Sequence, residues 1–183
     1  MQTTIVVVLV VVLVVAVLAI WFFSQRRKSQ QLQERFGPEY EHAVHEHGSR
    51  GRAEEALAAR AERVQQLHIR PLSAEESARY SESWRSVQAR FVDEPNVAIA
   101  DADRLVAEVM QARGYPMGEF EQRAADVSVD HPRVVENYRA AHAIAGRADR
   151  GEASTEDLRQ AMVHYRSLFA ELIDTPETAE VKR

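Results

Sequence analysis

A chain of 183 residues with a formal net charge of −5 is long enough for one domain with its own core, and it lacks the basic surface that a general nucleic-acid binder needs. It contains no cysteine, which excludes disulfides, thiol nucleophiles and thiolate metal sites and leaves topology to decide the compartment.

From Ile5 to Phe23 the chain reads IVVVLVVVLVVAVLAIWFF, without a charge. These ~19 residues at about 1.5 Å each make about 28 Å of helix, matching a hydrocarbon core of roughly 30 Å. Lipid offers backbone amides no water to bond, so the run is expected to be a transmembrane helix despite its β-branched residues. A cleavable signal peptide fits less well. No Lys or Arg precedes Ile5, the apolar run exceeds an h-region of about 7 to 15 residues, and no Ala-x-Ala ends it. Trp21, Phe22 and Phe23 are placed for an aromatic belt, and Arg26, Arg27 and Lys28 follow. Positive charge on that flank alone orients the segment with its start outside and the remaining chain in the cytoplasm. So small a basic group also attracts anionic lipid but falls short of a phosphoinositide site. The span has no Gly-x-x-x-Gly, so a dimerising face is not indicated.

Residues 24–36 hold no Gly or Pro and extend the helix as a basic stalk, which Gly37 and Pro38 interrupt. A short helix follows to Gly48, with Tyr40, Ala43 and Val44 on one side. The next, about Gly51 to His68, repeats apolar positions at Ala53, Leu57, Ala61, Val64 and Leu67. Ser73 with Glu76 is a capping box, and Tyr80, Trp84, Val87 and Phe91 then form one stripe. Asp93 is expected as the cap and Pro95 as the first-turn residue of a helix carrying Ile99, Ala102, Leu105, Val106, Val109 and Met110, with Gly114 as its stop. A short piece over 119–127 carries Phe120 and Ala124 inward. Another helix, entered through Pro132, carries Val134, Val135, Tyr138, Ala141 and His142. Ser154 with Asp157 caps the last helix, whose stripe runs from Leu158 to Leu172, and residues 175–183 are expected to fray. No alternating β-branched run occurs outside the first segment. The expected architecture is all-α: an anchor over 1–23, a stalk over 24–36, a domain of about six helices over 37–174 and a flexible tail over 175–183.

Asp126, Ser128, Asp130 and His131 are the residue types of a hydrolytic triad. No Gly-x-Ser-x-Gly elbow surrounds Ser128, and no glycine-rich segment nearby offers an oxyanion site. A helix joint explains them better, with Asp130 or Ser128 capping the helix that Pro132 opens, so no catalytic residue is assigned. His42, His45 and His47, with Glu41 and Glu46, are the densest histidine group and the only metal candidates. Their spacing matches no His-Glu-x-x-His or Glu-x-x-His signature, and a solvated helix face accounts for them. His131, Tyr138 and His142 are candidates to line a pocket between helices, the histidines lying eleven residues apart on one azimuth. The arginines of "SRGRAEEALAARAER" alternate with Glu at helical spacing, which is surface chemistry.

Read in order, "RFGPEYEHAV", "FVDEP", "MQARGYP", "DVSVDHPRVVENYRAAH" and "STEDLRQAMVHYRSLF" resemble a recurring group of short actinobacterial proteins, described as membrane-anchored or secreted. The arginine-rich, lysine-poor composition agrees with a high-GC bacterial source. The resemblance covers about Arg35 to Phe169 and implies a shared helical domain behind an anchor. It implies no activity, cofactor or catalytic residue. The leading expectation is a single-pass membrane protein whose cytoplasmic helical domain binds a protein partner, with lipid contacted only through the first helix, and no nucleic acid or cofactor. The alternatives are a tethered enzyme or sensor of a ligand or metal, and an extracytoplasmic envelope module.

Overall fold

The computed structural model describes residues 2–174. Of the side chains before residue 25, those of Leu13, Ala16, Val17, Ala19, Ile20, Phe22, Phe23 and Ser24 are described. The expected tail over 175–183 lies outside the described residues. These form eight helices and no strand: α1 (Gln2–Phe36), α2 (Pro38–His47), α3 (Arg50–Gln65), α4 (Ala74–Arg90), α5 (Pro95–Arg113), α6 (Phe120–Asp130), α7 (Val135–Asp149) and α8 (Thr155–Ile173). The all-α expectation holds, with seven helices after α1 where about six were expected.

α1 passes through both the apolar run and the stalk without a break, as the lack of Gly and Pro before Gly37 dictates. Among the described residues, no helix is long and apolar enough to cross a membrane. Most side chains of the Ile5–Phe23 run lie outside that set.

The chain divides into two compact units between Leu57 and Ala58, inside α3. In the first, Gly37 (φ 48°) ends α1 and starts α2. Phe36, Tyr40, Ala43, Ala53 and Leu57 are buried, and the Tyr40 hydroxyl donates to Glu54 at 2.8 Å, fastening α2 to α3.

In the second unit α5 packs against α4, α7 and α8, and α7 also against α6 and α8. One core joins these faces. Trp84 of α4 stacks on Phe169 of α8, with ring centroids 4.7 Å apart, and both belong to one buried cluster with Ile99, Val106, Met110, Tyr138 and Leu168. Burying such side chains contributes about 1.5–3 kcal/mol each before entropy is subtracted, so this face is the main reason the helices associate. Capping boxes close the amino ends of α4 (Ser73 with Glu76) and α8 (Ser154 with Asp157). Gly114 ends α5 in the left-handed region (φ 96°), where an added Cβ would lie 2.5 Å from the carbonyl oxygen of His68. That close approach lets the 66–73 connection lie along the end of α5, and the Arg70 amide donates to the Arg113 carbonyl at 2.9 Å.

Two local expectations are corrected. Asp93 does not cap α5: Glu94 holds that position without a side-chain bond, and Pro95 opens the helix. Asp130 and Ser128 do not cap α7. α6 continues through both because Val127, Ser128 and Val129 are buried against the domain, and Val134 stands before α7 without a side-chain cap.

Candidate functional site

Two polar clusters lie between the helices of the second unit, and each is built from residues distant in sequence. The first centres on Asp103, which follows Ala102 on α5 at the edge of the buried stripe that Ala102 and Val106 share. The fully buried Tyr165 of α8 donates its hydroxyl to the Asp103 carboxylate at 2.8 Å. His142 of α7 places Nδ1 3.5 Å from the same carboxylate, near enough to orient the ring but longer than a normal hydrogen bond. Phe120 of α6 stacks on the His142 ring at 3.7 Å and tilts against Tyr138 at 4.8 Å. Tyr138 is fully buried, and its hydroxyl sits beside the Arg123 guanidinium without a bond of normal geometry. Burial pushes Asp103 upward, but the nearby His142 ring, the hydrogen bond from Tyr165 and the Arg123 charge outweigh it, and the carboxyl lies below its usual range. Burial pushes the Tyr138 hydroxyl up to about 12 and raises Tyr165 further, with Asp103 adding to it.

The second cluster gathers where α5 ends. Arg113 is 3% exposed, because it falls on the buried stripe of α5 after Val109 and Met110. Its Nη1 lies 3.2 Å from His131 Nε2 and donates to the Leu172 carbonyl at 3.2 Å, while Nε reaches the Arg70 carbonyl at 3.4 Å. A guanidinium only donates, so His131 Nε2 is the acceptor and Nδ1 carries the proton, directed toward Glu171 at 3.7 Å. Burial holds the His131 ring below the usual imidazole range, Arg113 reinforces this, and Asp130 and Glu171 oppose it. Beside it, Tyr115 donates to Asp130 at 2.8 Å, and the buried carboxylate of Asp126 pairs with Arg63 and accepts from Gln122 at 3.2 Å.

The residue types of a triad do not meet. The Ser128 hydroxyl donates back to the Ala125 carbonyl at 2.7 Å, within its own helix, while His131 faces Arg113 and Asp130 faces Tyr115. The expected pocket set also separates. Tyr138 and His142 share Phe120, whereas His131 is the residue after α6, off the α7 stripe, and its ring faces Arg113. The azimuth comparison assumed one helix where there are two. His42 and His45 are exposed on α2 and His47 is half-buried. Among the described residues, no group of three or more His, Cys, Asp or Glu side chains could hold a metal ion. Arg26 stands 4.6 Å over the Phe22 ring, and Phe22, Phe23, Arg26, Arg27 and Lys28 are all exposed. The side chain of Trp21 lies outside the described ones.

Asp103, Arg113 and Arg123 carry no motif in the sequence, and Phe120 and Tyr165 read there only as core-facing positions. Arg113 carries a readable signal, a charged residue on an apolar stripe. The others become neighbours only through tertiary packing.

Two grooves open on this unit. One of 280 Å³ between α4 and α5 is lined by Ser83, Arg90, Asp101 and Arg104, in which Asp101 pairs with both arginines. The other, 450 Å³ between α4 and α8, is lined by Trp84, Arg85, Arg166, Phe169 and Ile173. Neither groove includes a residue of the two polar clusters. No protein family matches this chain, and neither a curated protein nor a solved structure is significantly similar to it.

Proposed function

We propose that this chain is a single-pass membrane protein whose helical domain binds a protein partner close to the membrane surface. The carrying observation is α1, one helix that joins the uncharged Ile5–Phe23 run to Arg26, Arg27 and Lys28. The large apolar side chains described within the run are open to solvent, with Leu13 66%, Ile20 70% and Phe23 63% exposed. Water disfavours that arrangement and lipid does not. The cation of Arg26 over Phe22 brings charge and aromatic ring together where headgroups would lie.

Tethering raises the effective concentration of the domain toward any membrane-bound partner, which is useful to a binding module without chemistry of its own. The polar side chains between the helices favour that reading, because the half-buried Asp103 and the buried Arg113 and Asp126 are engaged in bonds between helices and no activated nucleophile stands beside them among the described residues. The resemblance to membrane-anchored actinobacterial proteins agrees with it.

A tethered ligand sensor is the second reading. It is favoured by the fully buried Tyr138 hydroxyl, left without a normal bond among Arg123, Phe120 and His142. Thermal stabilisation of the detergent-solubilised chain by a small molecule, lost in Tyr138→Phe, would decide for the sensor.

The test of the anchor is fractionation of the full chain carrying a C-terminal reporter active in only one compartment. Recovery in membranes after alkaline carbonate washing, with a working cytoplasmic reporter, is expected. A chain dissolved without detergent, or one beginning after Phe23, would overturn the anchor. A reporter working only outside would make the domain an envelope module.

A further inference from the structure

We propose that His131 is the proton-sensitive element of a latch that ties the carboxyl end of α8 to the end of α5. Three segments meet there. Arg113 holds the α8 terminus through the Leu172 carbonyl, the 66–73 connection through the Arg70 carbonyl and the α6–α7 joint through His131. Only a neutral imidazole closes this set, because Nε2 must accept from a guanidinium that has no lone pair to offer in return.

A second proton on His131 puts N–H against N–H and positive charge against positive charge at 3.2 Å, with both side chains at most 5% exposed. The charged groups facing the ring are Arg113 from α5, Asp130 from the end of α6 and Glu171 from α8. Glu171 faces the ring in both states, its half-exposed carboxylate 3.7 Å from Nδ1, which carries the proton in the neutral tautomer. Protonation at Nε2 therefore removes the Arg113 bond and strengthens the attraction to Glu171.

When Nε2 is protonated, the buried guanidinium loses the His131 acceptor, and its bonds to the Leu172 and Arg70 carbonyls, at 3.2 and 3.4 Å, are already long. The last turn of α8 and the joint at 131–134 then open more often than the rest of the core. The ring's depressed proton affinity, caused first by burial and next by Arg113, places the release on the acid side of the ordinary imidazole range. His142 does not share the role, because its neighbours are Asp103 and Phe120.

Hydrogen exchange on the full chain in detergent micelles, corrected for the intrinsic pH dependence, tests this. Between about pH 7.5 and about pH 5, protection of the 128–135 and 168–174 segments is expected to fall roughly tenfold while the middle of α5 stays protected. His131→Gln should remove the pH dependence, since an amide oxygen accepts from Arg113 at every pH. Glu171→Gln, a substitution at an exposed site, should move the transition to lower pH by removing the carboxylate that favours protonation. Protection that ignores pH, a transition that survives His131→Gln, or a midpoint that stays or rises in Glu171→Gln would each overturn the proposal.

Discussion

The Tyr165 hydroxyl donates to Asp103 at 2.8 Å and so joins α8 to α5 across 62 residues of sequence. Replacing Tyr165 by Phe keeps the ring in its fully buried place and removes one hydrogen bond to a charged acceptor, which typically contributes about 1.5–3 kcal/mol. Denaturant unfolding of Tyr165→Phe should show a loss of about that size with an unchanged m-value. Asp103→Ala should cost more, because it strands the Tyr165 hydroxyl and the His142 ring together.

The same carboxylate sets an acid limit on stability. Burial alone would raise Asp103, but the nearby His142 ring and the hydrogen bond from Tyr165 hold it below the ordinary aspartate range, to which it returns on unfolding. The unfolded chain therefore binds the proton more readily, so this contribution is complete above about pH 5 and is lost as pH falls through the folded value. Melting temperature followed from about pH 5 to pH 3 should decline in the native chain and decline less steeply in Asp103→Asn.

Much of the scaffold was legible because its signals are local. The Ser73–Glu76 and Ser154–Asp157 boxes, the left-handed stops at Gly48 and Gly114 and the Tyr80–Trp84 stripe each depend on residues within a few positions of one another. The α6–α7 joint was harder. Pro132 marks a boundary nearby, but nothing local says that α6 keeps its register through Ser128 and Asp130, which is decided by the burial of Val127 and Val129. The two polar clusters were less legible still, since Asp103 meets Tyr165 and Arg113 meets His131 and Leu172 only when separate helices pack. Tyr138 and His142 sit four residues apart on α7 and both meet Phe120, whereas His131 follows the end of α6, where the spacing of α7 carries no information.

Gly114 and Gly151 separate two costs that a glycine can avoid. Both have positive φ, at 96° and 72°, yet an added Cβ at Gly114 meets the His68 carbonyl oxygen at 2.5 Å whereas at Gly151 it meets nothing within 4 Å. Gly151→Ala should therefore cost only the left-handed strain of about 1–2 kcal/mol. Gly114→Ala should cost at least about 1–3 kcal/mol more, because the 66–73 connection must retreat from α5. Thermal unfolding of the two variants side by side checks the order.

Trp84 and Phe169 are 6% and 5% exposed and stack at an interplanar angle of 16°, so they clamp α4 onto α8. Trp84→Ala removes a large buried ring and should destabilise the domain by about 3–5 kcal/mol, a substantial share of a typical total of about 5–15 kcal/mol. Trp84→Phe retains a stacking partner and should lose distinctly less. Urea unfolding monitored by circular dichroism measures both, since the signal does not depend on the tryptophan removed.

The proposed anchor makes a directional prediction. If Arg26, Arg27 and Lys28 hold the trailing end of α1 on the cytoplasmic side, moving positive charge to the other flank should reverse the helix without altering its length or apolarity. A chain carrying Gln2→Lys, Thr3→Arg and Thr4→Arg together with Arg26→Gln, Arg27→Gln and Lys28→Gln should still resist carbonate extraction, but its C-terminal reporter should change compartment. Charge at these flanks acts on insertion and leaves the bonds of the second unit untouched, so the orientation should change with no change in the domain's melting temperature. A reporter that stays on its original side would mean that something other than this basic flank sets the topology.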